Sequence, residues 1–504
     1  MGAALTAALF LFPAALPAQD WKKDSGTAAE RFRQTIDSLL DQSCQDGLRV
    51  GAKFYSLDRN KVLYSRNSDT LFTPASNMKM FTSAMALKKV GPDYRFHTRL
   101  YTNGQIRGGV LKGNLYIKGF GDPSLVTEQM WILVNELKNL PIIRVQGNII
   151  ADNSYFEGEG RLKTWKPYRG PEAYLAPVGA LSFNFNTVTV HIEPGPTVGS
   201  PPLVVVDPNL DYFRVVNRAV TTARKKRRRP LIVTRRGRRG HDEILIKGTL
   251  PKYVARKKYY LNVTRPTQYT ATAFKKYLEQ AGVRVTGKIV QGEVPAHAKL
   301  LLDHESPPLA DILRGLNKFS NNFMAEQILI ALAAQFHGEP GTTENGVLLL
   351  QEYMQGLGYA VNQYRMVDGS GLSKENLVTP DQIVSLLQDA HEDLSIFPEF
   401  ISALGVMGLD GSVVDRMHHS KEAQRIRVKT GTLNHVSALS GYYQSLDGER
   451  FAFSILLNDL KCSNGTAMKL EDRMMEIALQ FHREEGEEDV APELQWGGGI
   501  LKRD

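Results

Sequence analysis

The chain has 504 residues, 42% apolar and 23% charged, the proportions of an ordinary globular protein large enough for several domains. Its formal net charge of +9 is localised: Arg224 to Arg239 carries ten cations and no acid, so the rest is near neutral and a general nucleic-acid footprint is excluded. The 11 histidines are scattered, and neither H-E-x-x-H nor paired C-x-x-C occurs, so neither a metal centre nor a cofactor is expected.

Residues 2–16 are small and almost wholly apolar, and Pro17-Ala18-Gln19-Asp20 breaks the run. This reads as a signal peptide, residues 1–18, too short for a membrane span, although no Lys or Arg precedes it. Export is therefore expected, with the periplasm as the compartment and peripheral attachment to membrane or wall left open. The two cysteines, Cys44 and Cys462, read as one disulfide or as two buried thiols.

Helical spacing of Ala28, Phe32, Ile36 and Leu39-Leu40 predicts a helix over 24–47. Two strands follow, Arg49 to Ser56 and Lys61 to Ser65, joined by the turn signal Asp58-Arg59-Asn60. Pro74 suits the first position of a helix capped by Thr73, and this helix runs on to Gly91-Pro92. From Phe96 short strands and turns dominate, with one helix over Val126 to Asn139, so 96–298 reads as a β-rich insertion of two domains. Helices return at Leu309–Asn317, Asn322–Gln335, Gly346–Gly356 and Thr379–His391. Strands are expected at Arg425–Val428, Ser437–Gln444 and Phe451–Asn458, then a helix over Ala467–His482 and a disordered tail over 483–504. The fold class is α+β: segments 24–95 and 299–482 need one another to complete an antiparallel sheet covered by helices, with an all-helical part beside it.

Three motifs carry chemistry. In Thr73-Pro74-Ala75-Ser76-Asn77-Met78-Lys79, the one S-x-x-K of the chain, Ser76 and Lys79 fall on one helix face. A serine needs a base to become a nucleophile, and a desolvated lysine can serve. Ser320-Asn321-Asn322 sits in a break between two helices, where it either caps a helix or points into a cleft. Lys429-Thr430-Gly431, the one K-T-G, follows a strand, where Gly431 allows a ligand's backbone to come close.

This ordered triple resembles the penicillin-recognising serine enzymes, and within them the class C low-molecular-mass penicillin-binding proteins, D-Ala-D-Ala carboxypeptidases and endopeptidases. The long β-rich separation of Ser76 from Ser320 carries that likeness, with Leu111-Lys112-Gly113-Asn114-Leu115, Gly121-Asp122-Pro123-Ser124-Leu125, the passage from Ala176 to Asn184, and Asp368-Gly369-Ser370-Gly371-Leu372-Ser373. The resemblance implies acyl transfer on peptidoglycan stem peptides and covalent inhibition by β-lactam antibiotics. Ser76 would be the nucleophile and Lys79 its base. Ser320 would relay a proton to the leaving amine, and Asn322 would hold the substrate amide. Backbone N–H groups of Ser76 and Thr432 would form the oxyanion hole, and Lys429 and Thr430 would recognise a carboxylate. Lys374, Asn434 and Asp152 would contact the far part of the peptide, although Asp152 can instead support a turn. Relatives often carry Arg and Gln where Lys374 and Asn434 stand, and Lys cannot copy the bidentate contacts of Arg. A β-lactamase and an inactive envelope-binding protein are the competing readings. The run Arg224–Arg239 reads as a solvated loop or as an anchor for anionic envelope polymers.

Overall fold

A computed structural model describes residues 26–41, 47–165, 168–224 and 229–483. The expected signal peptide, Cys44 and the tail beyond Arg483 lie outside the described residues. Arg483 itself, assigned to that tail, donates from Nε to Glu449 Oε2 at 2.7 Å.

Both ends of the chain build one six-stranded antiparallel sheet, in the order 405–406, 426–433, 436–444, 450–458, 49–56, 61–66. Strand Arg49–Ser56 pairs along its whole length with Arg450–Asn458, so early and late sequence meet in adjacent strands. The inner strands are buried on both faces and read as near-continuous apolar runs rather than alternating ones. Ala438, Tyr442, Ala452 and Leu456 face the larger core, built with helices Met78–Val90, Leu309–Lys318, Asn322–His337, Thr343–Gly356, Pro380–Glu392 and Phe397–Ala403. Leu439, Tyr443, Phe453 and Ile455 face the opposite core, under helices Ala28–Asp41 and Asn464–Leu479.

Among the described residues, the inserted region carries four smaller sheets over two separate cores. One core gathers Leu100, Ile117, Leu133, Ile149 and Phe274; the other gathers Val190, Ile192, Ile244 and Ile246. Strand Lys299–Glu305 pairs with His97–Thr102, so this sheet continues past the expected boundary at 298. Helix Pro266–Gln280 also lies here, where strands and turns were expected.

The insert does not stand apart from the sheet and helices. Tyr155, Phe156, Leu162, Trp165, Leu175, Ala176 and Val178 are buried in the larger core, so these insert residues pack directly on the helices beside the motifs.

Candidate active site

The first motif does not begin an α-helix as expected. Ala75–Asn77 form a 3-10 turn, and the α-helix starts at Met78 without a side-chain cap. Ala75 has φ +46°, a left-handed conformation unusual for a residue with a Cβ. Side chains of the sheet hold the segment there. Asn458 Oδ1 accepts from Thr73 N at 2.8 Å, its Nδ2 donates to Thr73 O at 3.1 Å, and Asn77 Nδ2 donates to Ser440 Oγ at 2.7 Å. The strained turn is thus pinned to two core strands before helix Met78–Val90 begins.

Ser320 is the second such residue, with φ +54°, in the break between helices Leu309–Lys318 and Asn322–His337. Asn321 is the cap of the second helix, its Oδ1 accepting from Met324 N at 3.2 Å, which frees Ser320 and Asn322 for other contacts. Lys429, Thr430 and Gly431 lie inside strand Ile426–Leu433 rather than at its end. The pairing Lys429↔Ser440, Thr430↔Leu439, Gly431↔Ala438 fixes their facing. A Cβ on Gly431 would stand 2.8 Å from Pro74 O and 3.1 Å from Ala75 Cβ, so only glycine lets the strand lie this close to the turn that carries Ser76.

The three motifs meet around two buried lysines. Lys79 Nζ donates to Ser76 Oγ at 2.9 Å, Asn322 Oδ1 at 2.7 Å and Ser370 O at 2.7 Å, which uses its whole donor capacity. Burial brings the Lys79 pKa down to about 7, against the opposing pull of Asp368 and Glu326. Lys429 Nζ donates to Ser320 Oγ at 2.8 Å and Thr430 O at 2.7 Å. Burial, and then the neighbouring Lys79 charge, hold Lys429 well below the ordinary lysine range. Asn322 Nδ2 donates to Tyr174 O at 3.0 Å, a contact supplied by the insert. A hydroxyl beside a lysine that is half neutral near pH 7 is an activatable nucleophile.

The peripheral residues divide. Lys374 and Asn434 come together: Lys374 Nζ donates to the Asn434 carbonyl at 2.7 Å, and both are exposed. Thr432 is exposed next to Gly431. Asp152 is fully buried, with Oδ1 accepting from Ser154 N at 2.8 Å and Oδ2 from Val294 N at 2.7 Å. Both oxygens are committed to backbone amides, so the expected contact to a peptide is replaced by support of a turn in the insert.

Three neighbours were not read from the sequence. Ser412 Oγ lies 2.8 Å from Thr430 Oγ1, and nothing in the surrounding sequence marks it. Asp368 lies in a passage that carries the family likeness, but no role was drawn for it. Glu326 left a signal, as the lone acid in the apolar run Phe323 to Ala334.

A model of the D-Ala-D-Ala carboxypeptidase 3 (S13) family matches residues 32–480. A D-alanyl-D-alanine carboxypeptidase of Actinomadura sp. (strain R39) is 33% identical over 448 residues, covering 86% of this chain and 82% of the relative. Among solved structures, penicillin binding protein 4 (dacB) of Haemophilus influenzae aligns with a TM-score of 0.77 at 24% identity, over 88% of this chain and 99% of that one. The same protein complexed with a novel β-lactam aligns at 0.73, at the same identity and coverage.

Proposed function

The chain belongs to the D-Ala-D-Ala carboxypeptidase 3 (S13) family, a family of serine hydrolases, and on that premise we propose that Ser76 and Lys79 form the acylation centre. Ser76 Oγ attacks the carbonyl carbon of the penultimate D-Ala while neutral Lys79 Nζ takes the hydroxyl proton. The N–H groups of Ser76 and Thr432 hold the oxyanion as the C–N bond breaks. Ser320, bridged to Lys429, passes a proton to the departing D-Ala amine, and water then releases the acyl group from Ser76. Asn322 orients Lys79 and the substrate amide; Lys429 and Thr430 bind the terminal carboxylate. Lys374 with the Asn434 backbone lines the far end of the peptide. Asp152 is left out of this assignment.

One observation carries the reading: a fully buried lysine amine is shared between Ser76 Oγ and Asn322 Oδ1. A β-lactam, the ligand held by the Haemophilus influenzae protein, presents an acylating carbonyl and a carboxylate in the same arrangement and would acylate Ser76. The test is labelling by a fluorescent penicillin, together with incubation with purified muropeptides and mass analysis. Labelling of wild type but not of Ser76→Ala, with one D-Ala lost from monomers or with dimers converted to monomers, supports the reading. The first product marks a carboxypeptidase and the second an endopeptidase. Unlabelled wild type, or labelled Ser76→Ala, overturns it.

The compartment we propose is the periplasm. The apolar N-terminal run supports it, and so does Cys462, which is disulfide-bonded as expected of an oxidising environment. Among the described residues no helix is long and apolar enough to cross a membrane.

The basic element is proposed as an anchor for anionic envelope polymers. Strand Ile232–Arg238 lies beside His241–Pro251, which lies beside Phe213–Thr222. Their register sets Arg236, Glu243 and Arg214 in one row and Ile232, Lys247 and Arg218 in another on the same face, and the cations of these rows are exposed. Arg235 is withdrawn from this role: its Nε donates to Asn262 O at 2.8 Å, and it pairs with buried Asp242. Residues 225–228 lie outside the described residues. Salt-sensitive binding to cell-wall sacculi that disappears when the cations of Arg224–Arg239 other than Arg235 are neutralised supports the anchor; unchanged binding overturns it.

A further inference from the structure

Below the two lysines lies a second charged group that the acylation mechanism does not use. Glu326 and Asp368 are both completely buried, on helix Asn322–His337 and on the loop before Ser370. Between them they hold one loop through its backbone. Glu326 Oε2 accepts from Gly369 N at 3.1 Å and Oε1 from Ser370 N at 2.8 Å. Asp368 Oδ1 accepts from Gly371 N at 2.7 Å and Asn376 Nδ2 at 2.8 Å; Oδ2 accepts from Ser373 N at 2.9 Å and Trp165 Nε1 at 3.1 Å. Four backbone amides over five residues thus end on two carboxylates.

The loop so held touches the reaction centre twice. Its Ser370 carbonyl is an acceptor for Lys79 Nζ. Its Gly371, at φ +76°, lies against the residue before the nucleophile, where a Cβ would stand 1.8 Å from Ala75 O. Trp165 adds a contact from the insert, so the distant part of the chain bears on the same loop.

We propose that Glu326 and Asp368 are paired positioning residues for Lys79 and Ser76: together they lock the 369–373 loop against both, with Asp368 as the buried anion that compensates Lys79 and Glu326 as its protonated partner. The division of charge follows from the contacts. Burial raises the Asp368 pKa, but four donors converge on it and favour its ionised form; Glu326 has two, in a fully buried place beside that anion. Like charges that close cannot both ionise without large penalty, and Glu326 is pushed up to about 8 by burial and by Asp368. The charged and titratable groups facing the pair are Lys79 from helix Met78–Val90, and Tyr168, on which Asp368 acts from across the insert. Lys429, on strand Ile426–Leu433, faces Lys79 in turn. A neutral pair would leave a protonated Lys79 uncompensated; a doubly ionised pair would hold the proton on Lys79 and oppose its service as base.

This inference rests on the acylation reading above, and the experiment separates their failures. Acylation by a fluorescent penicillin is followed in single turnovers from pH 5.5 to 9.5 in wild type, Glu326→Gln and Asp368→Asn, with infrared spectra of the carboxylic C=O region. Glu326→Gln keeps the shape of a protonated acid. It removes no charge near pH 7, so its acid limb is expected to stay where wild type has it, but its NH2 cannot accept the loop N–H that a carboxyl oxygen accepts, so its plateau is expected to fall several-fold. Asp368→Asn is expected to move the acid limb to lower pH, because Lys79 loses its anion, and to lower the plateau. Wild type should show a carboxylic acid band at pH 7 that fades above about pH 8 and is missing in Glu326→Gln.

A wild type that is never acylated would sink the acylation reading and this inference with it. An acylated wild type that lacks the band, or a Glu326→Gln whose acid limb moves to lower pH or whose plateau does not fall, would overturn this inference alone. Should Asp368→Asn fail to fold, the Glu326→Gln profile and the band decide.

Discussion

Lys79 and Lys429 are two fully buried lysines that share one cleft, and each ends on a serine hydroxyl, Ser76 Oγ at 2.9 Å and Ser320 Oγ at 2.8 Å. Desolvation disfavours the charge on both, and the proximity of Lys79 disfavours it further on Lys429. The sign for Lys79 is direct: only the neutral amine has a lone pair for the Ser76 proton, and its pKa lies near 7. Acylation is therefore expected to rise about tenfold per pH unit below 7 and to level off above it. Lys79→Arg keeps a cation but cannot deprotonate, so acylation should fall by about 10²–10⁴-fold with no recovery at high pH. Single-turnover acylation against pH measures both.

Lys429 makes a separate prediction. Its amine stands beside Ser320 Oγ and the Thr430 carbonyl and is held short of its ordinary charge until an anion arrives. A peptide ending in D-Ala-D-Ala carboxylate supplies that anion; its C-terminal amide does not. A charge-assisted hydrogen bond of about 1.5–3 kcal/mol corresponds to a roughly 10–100-fold preference in kcat/KM for the acid over the amide. In Lys429→Ala the ratio should collapse toward one while both substrates become slow. A ratio unchanged by the substitution would move carboxylate recognition elsewhere.

The closeness of the two halves of the site is testable at Gly431. A methyl group there would press on Pro74 O, Ala438 Cβ and Ala75 Cβ, all within 3.1 Å. Strand and turn must separate, which displaces the nucleophile from its base. A displacement near 1 Å corresponds to about a 10²-fold loss of acylation, and overpacking to about 1–3 kcal/mol of stability. Gly431→Ala should therefore show both a slower burst and a lower thermal midpoint, whereas a purely local effect would leave the burst intact.

What was legible in the sequence follows from the strength of the local signal. Ser76, Lys79, Ser320, Asn322 and Lys429 lie in short motifs with fixed spacing, and the structure brings all five together. Strands such as Arg49–Ser56 and helices such as Asn322–His337 were found because apolar runs between turn signals identify them. Helix Pro266–Gln280 was missed because Thr267, Thr270, Ala271 and Ala273 make up half of its buried face and dilute the apolar signal of Tyr269, Phe274 and Leu278. The 3-10 turn at Ser76 was missed because its cause is remote: Asn458 and Ser440 hold it from the sheet. The sequence leaves Asp152 between the peptide and a turn because its partners, Ser154 N and Val294 N, are backbone groups that no side-chain pattern reveals. The acid pair escaped for a related reason, since Glu326 acts on a loop more than forty residues away in sequence.

The face of the sheet opposite the active site supplies a prediction about stability. Arg416 is almost fully buried and donates to Glu471 Oε2 at 3.0 Å, to Asp472 Oδ1 at 2.8 Å and to Met468 O at 3.1 Å. Glu471, completely buried, also accepts from Ser437 Oγ at 2.6 Å, which ties helix Asn464–Leu479 to strand Val436–Gln444. Arg416→Ala would leave that carboxylate buried with one hydroxyl partner, a loss of about 3–5 kcal/mol at neutral pH. Burial already raises the Glu471 pKa despite the arginine, and without the guanidinium it must rise further. A carboxyl whose folded pKa exceeds its unfolded value stabilises most below the unfolded value, and this stability is lost as pH rises through the folded pKa. The deficit of Arg416→Ala against wild type should therefore be largest at pH 7 to 8 and shrink toward pH 5, as Glu471 takes up a proton in the fold. Thermal midpoints of the two proteins across that range test it: a deficit that stays constant with pH would mean that lost packing, not the stranded carboxylate, is responsible.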